Sequence, residues 1–224
     1  MTIESTARAE LRINAKELKS ARTRARILDA AAQVLSTKGY AGTRLADVAK
    51  AAELRAPAIY YYFDSRESLI EEVMWSGVAD MRHRLEDALD EAAANQTSMD
   101  RIMLAVDVHL RHELEVSDYT TASIRNAGQI PERIRTRQIE EEKQYGALWR
   151  RLVQAAADDG EIRADLDLYI ARMMILGALN WAAEWWTPRR ASINEVVTTA
   201  QTAIRQGLAP LGVASDRRDL DLRA

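Results

Sequence analysis

The 224-residue sequence contains no cysteine. That single absence excludes disulfides, thiolate metal sites and cysteine nucleophiles. Four prolines and nine glycines are few for this length, so turns are scarce and helices run on easily. No apolar run approaches the roughly 18 residues of a membrane span. The polar, mixed-charge N-terminus also lacks the apolar core of a secretion signal. The expectation is a cytoplasmic all-α protein without membrane contact.

Signatures of catalysis are missing as well. There is no Gly-rich phosphate loop, Gly-x-Ser-x-Gly elbow or His-Glu-x-x-His motif. His109 and His112 share one helix face, but no histidine has a glutamate three residues before it, as a di-metal bundle would need. No enzyme activity, metal or cofactor is expected.

What is present is a globular composition, 47% hydrophobic and 29% charged, in a chain long enough for one ordinary domain and a smaller one. The net charge of −3 conceals a split. Residues 1–66 carry 12 Lys/Arg against 7 Asp/Glu, a net of +5, and the remaining 158 residues carry 19 against 27, a net of −8. A polyanion would be met by the first part and repelled by the second.

Periodicity predicts a helix from Arg22 to Lys38, with Ile27, Leu28, Ala31, Val34 and Leu35 on one stripe and Gly39 ending it. A short helix over 44–51 follows, with Thr43 as its N-cap and Leu45, Val48 and Ala49 inward. Another covers 56–61, with Pro57 in its first turn. Asp64 and Glu67 read as a capping box for a long helix over 65–94. Later helices are expected at 99–115, 117–127, 132–157, 166–186 and 193–208. The implied organisation is a mobile basic arm (1–20), a helix-turn-helix domain (21–68), a larger helical domain (69–212) and a disordered tail (213–224).

Two short helices, the second ending in Tyr60-Tyr61-Tyr62 with Arg66 beyond, suit a helix in the major groove with phosphate-gripping side chains on its flank. The block from Arg26-Ile27-Leu28-Asp29-Ala30-Ala31 through Gly39-Tyr40, Thr43, Asp47-Val48-Ala49 and Ile59-Tyr60-Tyr61-Tyr62-Phe63 to Ser65-Arg66-Glu67-Ser68-Leu69 resembles the TetR family of bacterial repressors. The resemblance implies that Thr43 gives its hydroxyl and backbone N–H to a phosphate, and that Tyr60, Tyr61 and Tyr62 meet the DNA backbone. Arg66 stands where the family has a phosphate-binding lysine, and Arg55, Ala56 and Ala58 stand where bases are read. Phe63 reads as core, with Tyr60 the first candidate to pack beneath it. Arg44 and Lys50 are either phosphate ligands or solvated helix charges. This chain departs from the family at Glu53-Leu54-Arg55, where a glycine and a small capping residue are usual.

The same resemblance implies a ligand-released repressor, with a pocket in the helices after the DNA-binding domain. It also implies a homodimer through the last two long helices, 166–186 and 193–208, reading a palindromic operator in double-stranded DNA. Leu179-Asn180-Trp181 through Trp185-Trp186-Thr187-Pro188 is similar to a segment of the family's fatty-acid and steroid-catabolism regulators, which answer to acyl-CoA thioesters. On that reading Met74, Met103, Met173, Met174, Asn180, Trp181 and Trp185 line an apolar slot. Arg125, near Arg133, Arg135 and Arg137, meets the phosphates of the effector. The same tryptophans also read as core or dimer anchors. A multidrug-type sensor using Glu72, Glu113 or Glu184 stays open, as does a helical adaptor that binds no DNA.

Overall fold

The structure, a computed structural model, describes residues 3–116, 118–126 and 128–210, with side chains from residue 17 onward except 115, 116, 120 and 124. The expected tail at 213–224 lies outside the described residues. Among those residues every regular element is helical, and no helix is long and apolar enough to cross a membrane.

The helices are α1 (Ile3–Gly42), α2 (Leu45–Ala51), α3 (Ala56–Ile59), α4 (Arg66–Glu91), α5 (Ser98–Arg111), α6 (Asp118–Asn126), α7 (Thr136–Asp158), α8 (Leu168–Asn180), α9 (Ala182–Trp185) and α10 (Ile193–Leu208). A π-helical turn (His112–Val116) continues α5, and a 3-10 turn (Glu132–Ile134) precedes α7. Where a mobile arm was expected, the backbone is helical from Ile3. Residues 3–20 are rich in Ala, Leu, Glu, Lys and Arg and contain neither Gly nor Pro, so nothing interrupts the helix upstream. The break comes at Gly39, which has φ 67° and ψ 176°, a conformation open to a residue without a Cβ.

The chain packs as two units, Met1–Arg82 with Val116–Lys143, and His83–Glu115 with Gln144–Ala224. α6 lies against α1, and the first unit's core joins Ile27, Leu35, Val48, Ile59 and Phe63 to Leu69, Met74, Ala122 and Ile134. Gly77 allows α4 and α6 to touch, because a Cβ there would stand 2.8 Å from the Tyr119 carbonyl oxygen. Ser123 Oγ donates to the Met74 carbonyl at 2.9 Å in the same contact.

In the second unit α5 packs on α10 and α8. The helix starts are capped: Thr97 with Asp100 and Ser192 with Glu195 form capping boxes, and Asp167 accepts from the Ile170 N–H. α4 is capped differently from expectation. Ser65 and Ser68, rather than Asp64 and Glu67, exchange backbone-to-hydroxyl hydrogen bonds of 3.0 and 3.1 Å. The helix begins one residue later than the Asp64 reading requires.

Candidate nucleic-acid interface

The turn between α2 and α3 is closed by Leu54 N–H donating to the Ala49 carbonyl at 2.8 Å. Glu53 sits within it at φ 55°, where a side chain costs about 1 kcal/mol relative to glycine. Arg26 of α1 donates to the Ala52 carbonyl and fastens the turn to the core. α3 is a single turn with Pro57 near its start, where a missing N–H is harmless. Fully buried Ile59 anchors it from below, and Tyr62 N–H and Phe63 N–H both donate to the Ile59 carbonyl.

That anchoring sorts the aromatic block. Phe63 is core, as expected. Tyr62, not Tyr60, is the tyrosine that packs against the core, and its ring meets Tyr61 edge-on at 5.1 Å. Tyr60 and Tyr61 stand out, 59% and 78% exposed. Arg44 and Arg55, the N-caps of α2 and α3, are exposed, and Ala56 and Ala58 are half-buried beside them. Arg44, Arg55, Tyr60 and Tyr61 are thus the exposed side chains of the candidate set on the α2–α3 segment.

Two residues expected at phosphates also make contacts within the protein. Thr43 does not cap α2. It is buried, and its hydroxyl donates to the Gly39 carbonyl at 2.8 Å, satisfying the chain where α1 breaks. Arg66 donates from Nε to the Thr43 carbonyl at 2.7 Å and from Nη2 to the Tyr40 carbonyl, and pairs through Nη1 with Glu67 at 3.2 Å. Its guanidinium also lies 4.5 Å from the Tyr40 ring centroid. All three nitrogens have acceptors within the protein, so Arg66 is a tie between α4 and the α1–α2 loop.

The expected effector residues differ in exposure. Met74 is fully buried in the first unit's core. Met173, Met174, Trp181 and Trp185 are exposed, with Met174 at 71% and Trp181 at 64%. The reason is that α8 turns Arg172, Ile175 and Leu179 inward, which aims its methionines out. Met103 is buried on α5, Asn180 is half-buried at the end of α8, and Arg125 is exposed at the end of α6. Beside Arg125's segment, Arg137 stacks 3.9 Å over the Trp75 ring and pairs with Glu72 at 2.9 Å, while Arg24 holds the same carboxylate at 3.1 Å. Burial pushes the Glu72 carboxyl up, but the hydrogen bonds and charges of Arg137 and Arg24 outweigh it and hold it below its ordinary value.

The second unit instead buries a polar cluster. The His109 Nδ1 lies 2.8 Å from the Tyr145 hydroxyl and its Nε2 lies 3.4 Å from a Glu113 oxygen. The other Glu113 oxygen accepts from the Ala183 N–H at 3.2 Å, and Trp149 stands edge-on to His109. Burial pushes the Tyr145 hydroxyl well up, and the Glu113 carboxylate adds to that. Sequence reading weighed His109 only as a metal ligand and passed over Tyr145. The available signal was two i, i+4 pairs, His109/Glu113 and Tyr145/Trp149, on helices otherwise apolar inward. Among the described residues no group of three ligands could hold a metal.

Comparison with known proteins bears on this arrangement. Residues 27–73 match the family described as bacterial regulatory proteins, tetR family, and residues 95–208 match the tetracyclin repressor-like C-terminal domain. The HTH-type transcriptional repressor KstR2 of Rhodococcus jostii is 26% identical over 191 residues, 83% of this chain and 91% of that protein. The fatty acid metabolism regulator protein of Bacillus subtilis is 25% identical over 162 residues, 71% and 81% of the two chains. In fold, the transcriptional regulator FadR of Bacillus subtilis, solved with stearoyl-CoA, superimposes with a TM-score of 0.68 at 21% identity, covering 82% of this chain and 98% of that one. With an N-terminal reading head and a helical body both matched, the chain belongs to the TetR family of bacterial transcriptional regulators.

Proposed function

We propose that the protein is a dimeric, effector-released repressor of transcription. The observation that carries this is the α2–α3 segment, where Arg44, Arg55, Tyr60 and Tyr61 are exposed while Ile59 and Phe63 are buried. Arg55 offers a guanidinium fork that matches the two acceptors of guanine in the major groove. Arg44 and the Tyr60 and Tyr61 hydroxyls suit phosphate oxygens. Ala56 and Ala58 leave room for the groove floor and for thymine methyl groups.

Dimerisation is supported by α8, which exposes Tyr169, Ile170, Met173, Met174 and Trp181 together with Gly177 and Ala178. On α10 the exposed positions Thr199, Ala203 and Gly207 are small. An apolar face with small neighbours suits a self-complementary helix bundle. Two reading heads in a two-fold dimer call for a near-palindromic operator with half-sites roughly 34 Å apart.

The effector is an amphipathic molecule, with an acyl-CoA thioester as the first candidate, because the relatives named above include a fatty acid metabolism regulator and a regulator solved with stearoyl-CoA. Release requires that the effector bind the DNA-free form more tightly, by a ratio that sets the limit of the switch.

The test is enrichment of random genomic fragments on the purified protein at two salt concentrations, with and without a long-chain acyl-CoA. A palindromic site released by acyl-CoA is the expected result. A palindrome that acyl-CoA leaves bound retains the repressor and removes that effector. No enrichment at low salt removes the repressor and leaves the adaptor.

A further inference from the structure

Around the break at Gly39, peptide groups of α1 are held by side chains from two other helices. Asn126, at the end of α6 and 1% exposed, accepts from the Tyr40 N–H at 2.8 Å through Oδ1. Its Nδ2 donates to the Ala122 and Leu35 carbonyls, so one buried amide links α6 to both sides of the break. On the other face of the Tyr40 residue, its carbonyl accepts from Arg66, the first residue of α4. The same guanidinium reaches the Thr43 carbonyl, and the Thr43 hydroxyl closes back on Gly39. Residues 39–43 lead directly into Arg44 and α2, so the direction of the α2–α3 pair is set by this loop.

We propose that Asn126 and Arg66 are positioning residues for DNA recognition: they fix the 39–43 loop, and through it α2 and α3, without touching DNA. This rests on the DNA binding proposed above. The chemistry separates it from a phosphate role. A phosphate contact needs only a positive charge at the surface and is indifferent to sequence. The observed tie needs a planar fork reaching two carbonyls at once, and lysine's ammonium is a single point charge. A displaced reading head loses base discrimination first, because base contacts tolerate displacements of only about 0.5 Å.

The test uses the full-length protein, the operator selected from random DNA and a scrambled duplex of equal length. Wild type, Arg66→Ala, Arg66→Lys and Asn126→Ala are titrated over a salt series, and thermal unfolding is followed for each. Expected for all three variants is a loss of operator affinity of about ten- to a hundredfold, with scrambled-duplex affinity changed by less than about twofold and an unchanged salt slope. Arg66→Lys, the mildest change, carries the test if Asn126→Ala fails to fold. Restored operator binding in Arg66→Lys, with a slope shallower by about one in Arg66→Ala, would overturn the proposal in favour of a phosphate contact. Equal losses on both duplexes overturn it too, since a smaller folded fraction scales both alike. A wild type that selects no operator refutes DNA binding itself, a result distinct from either.

Discussion

The two units differ in what they leave uncovered. In the first, the large hydrophobic side chains left exposed among the described residues are Tyr60 and Tyr61 beside the reading turn, and Leu18 on α1. A tyrosine carries a hydroxyl that remains useful against hydrated phosphates. In the second, Tyr169, Ile170, Met173, Met174, Trp181 and Trp185 are exposed, and three of these, Ile170, Met173 and Met174, have no polar atom that a phosphate could use. The first unit therefore exposes tyrosine hydroxyls that suit a wet, charged surface, and the second exposes a mainly apolar face of the kind that marks an interaction site.

The comparison can be broken most forcefully at Met174. Met174→Glu puts a charge at the centre of the apolar face, and the expected result is dimerisation weakened on the order of a hundredfold or more. Sedimentation equilibrium measures this, and an intact dimer would show that α8 is covered by something else. Next in size is Arg55→Ala, which should flatten base preference at one operator position by about 1–3 kcal/mol when selection is repeated. Tyr61→Phe removes only a hydroxyl. It should weaken all duplexes by roughly tenfold alike, in titrations on operator and scrambled DNA. Glu53→Gly relieves the left-handed residue and should stabilise the protein by up to about 1 kcal/mol in denaturant unfolding. The smallest effect concerns Glu72. Its carboxyl titrates below its ordinary value of 4.5, so its pairing with Arg24 and Arg137 stabilises the fold above that pH and is lost as the pH falls through the lowered value. Replacing Glu72 with Gln should remove that part of the acid dependence of unfolding.

Local rules were legible where the chain's own neighbours decide the outcome. Gly39 does break α1 at positive φ, Pro57 does open a helix, and α10 runs over the expected 193–208. What failed depends on a break in the backbone or on residues far away in the chain. Thr43 looks like a cap from its own position, but the break in α1 brings the Gly39 carbonyl within reach of its hydroxyl. Asn126 meets Tyr40 from 86 residues away, and nothing in either segment announces it. In α8 the difficulty is different. Its sequence is apolar on nearly every side, so periodicity could not say which face turns inward, and the inward face includes a charged residue, Arg172. That charge is accommodated because its Nη1 donates to the Gly146 carbonyl at 2.6 Å. The clustering of Met173 and Met174 with Trp181 was visible, but whether they face a cavity or the outside was not.

The lock on Tyr40 bears on how relatives of this protein can be recombined. A fragment ending at residue 82 would contain every residue of the helix-turn-helix yet lack Asn126, leaving the Tyr40 N–H without its acceptor. The same holds during synthesis, since the reading head is incomplete until the ribosome has released α6. A chimaera that grafts residues 21–68 onto another regulator's body would carry the key to DNA and only half of its own latch.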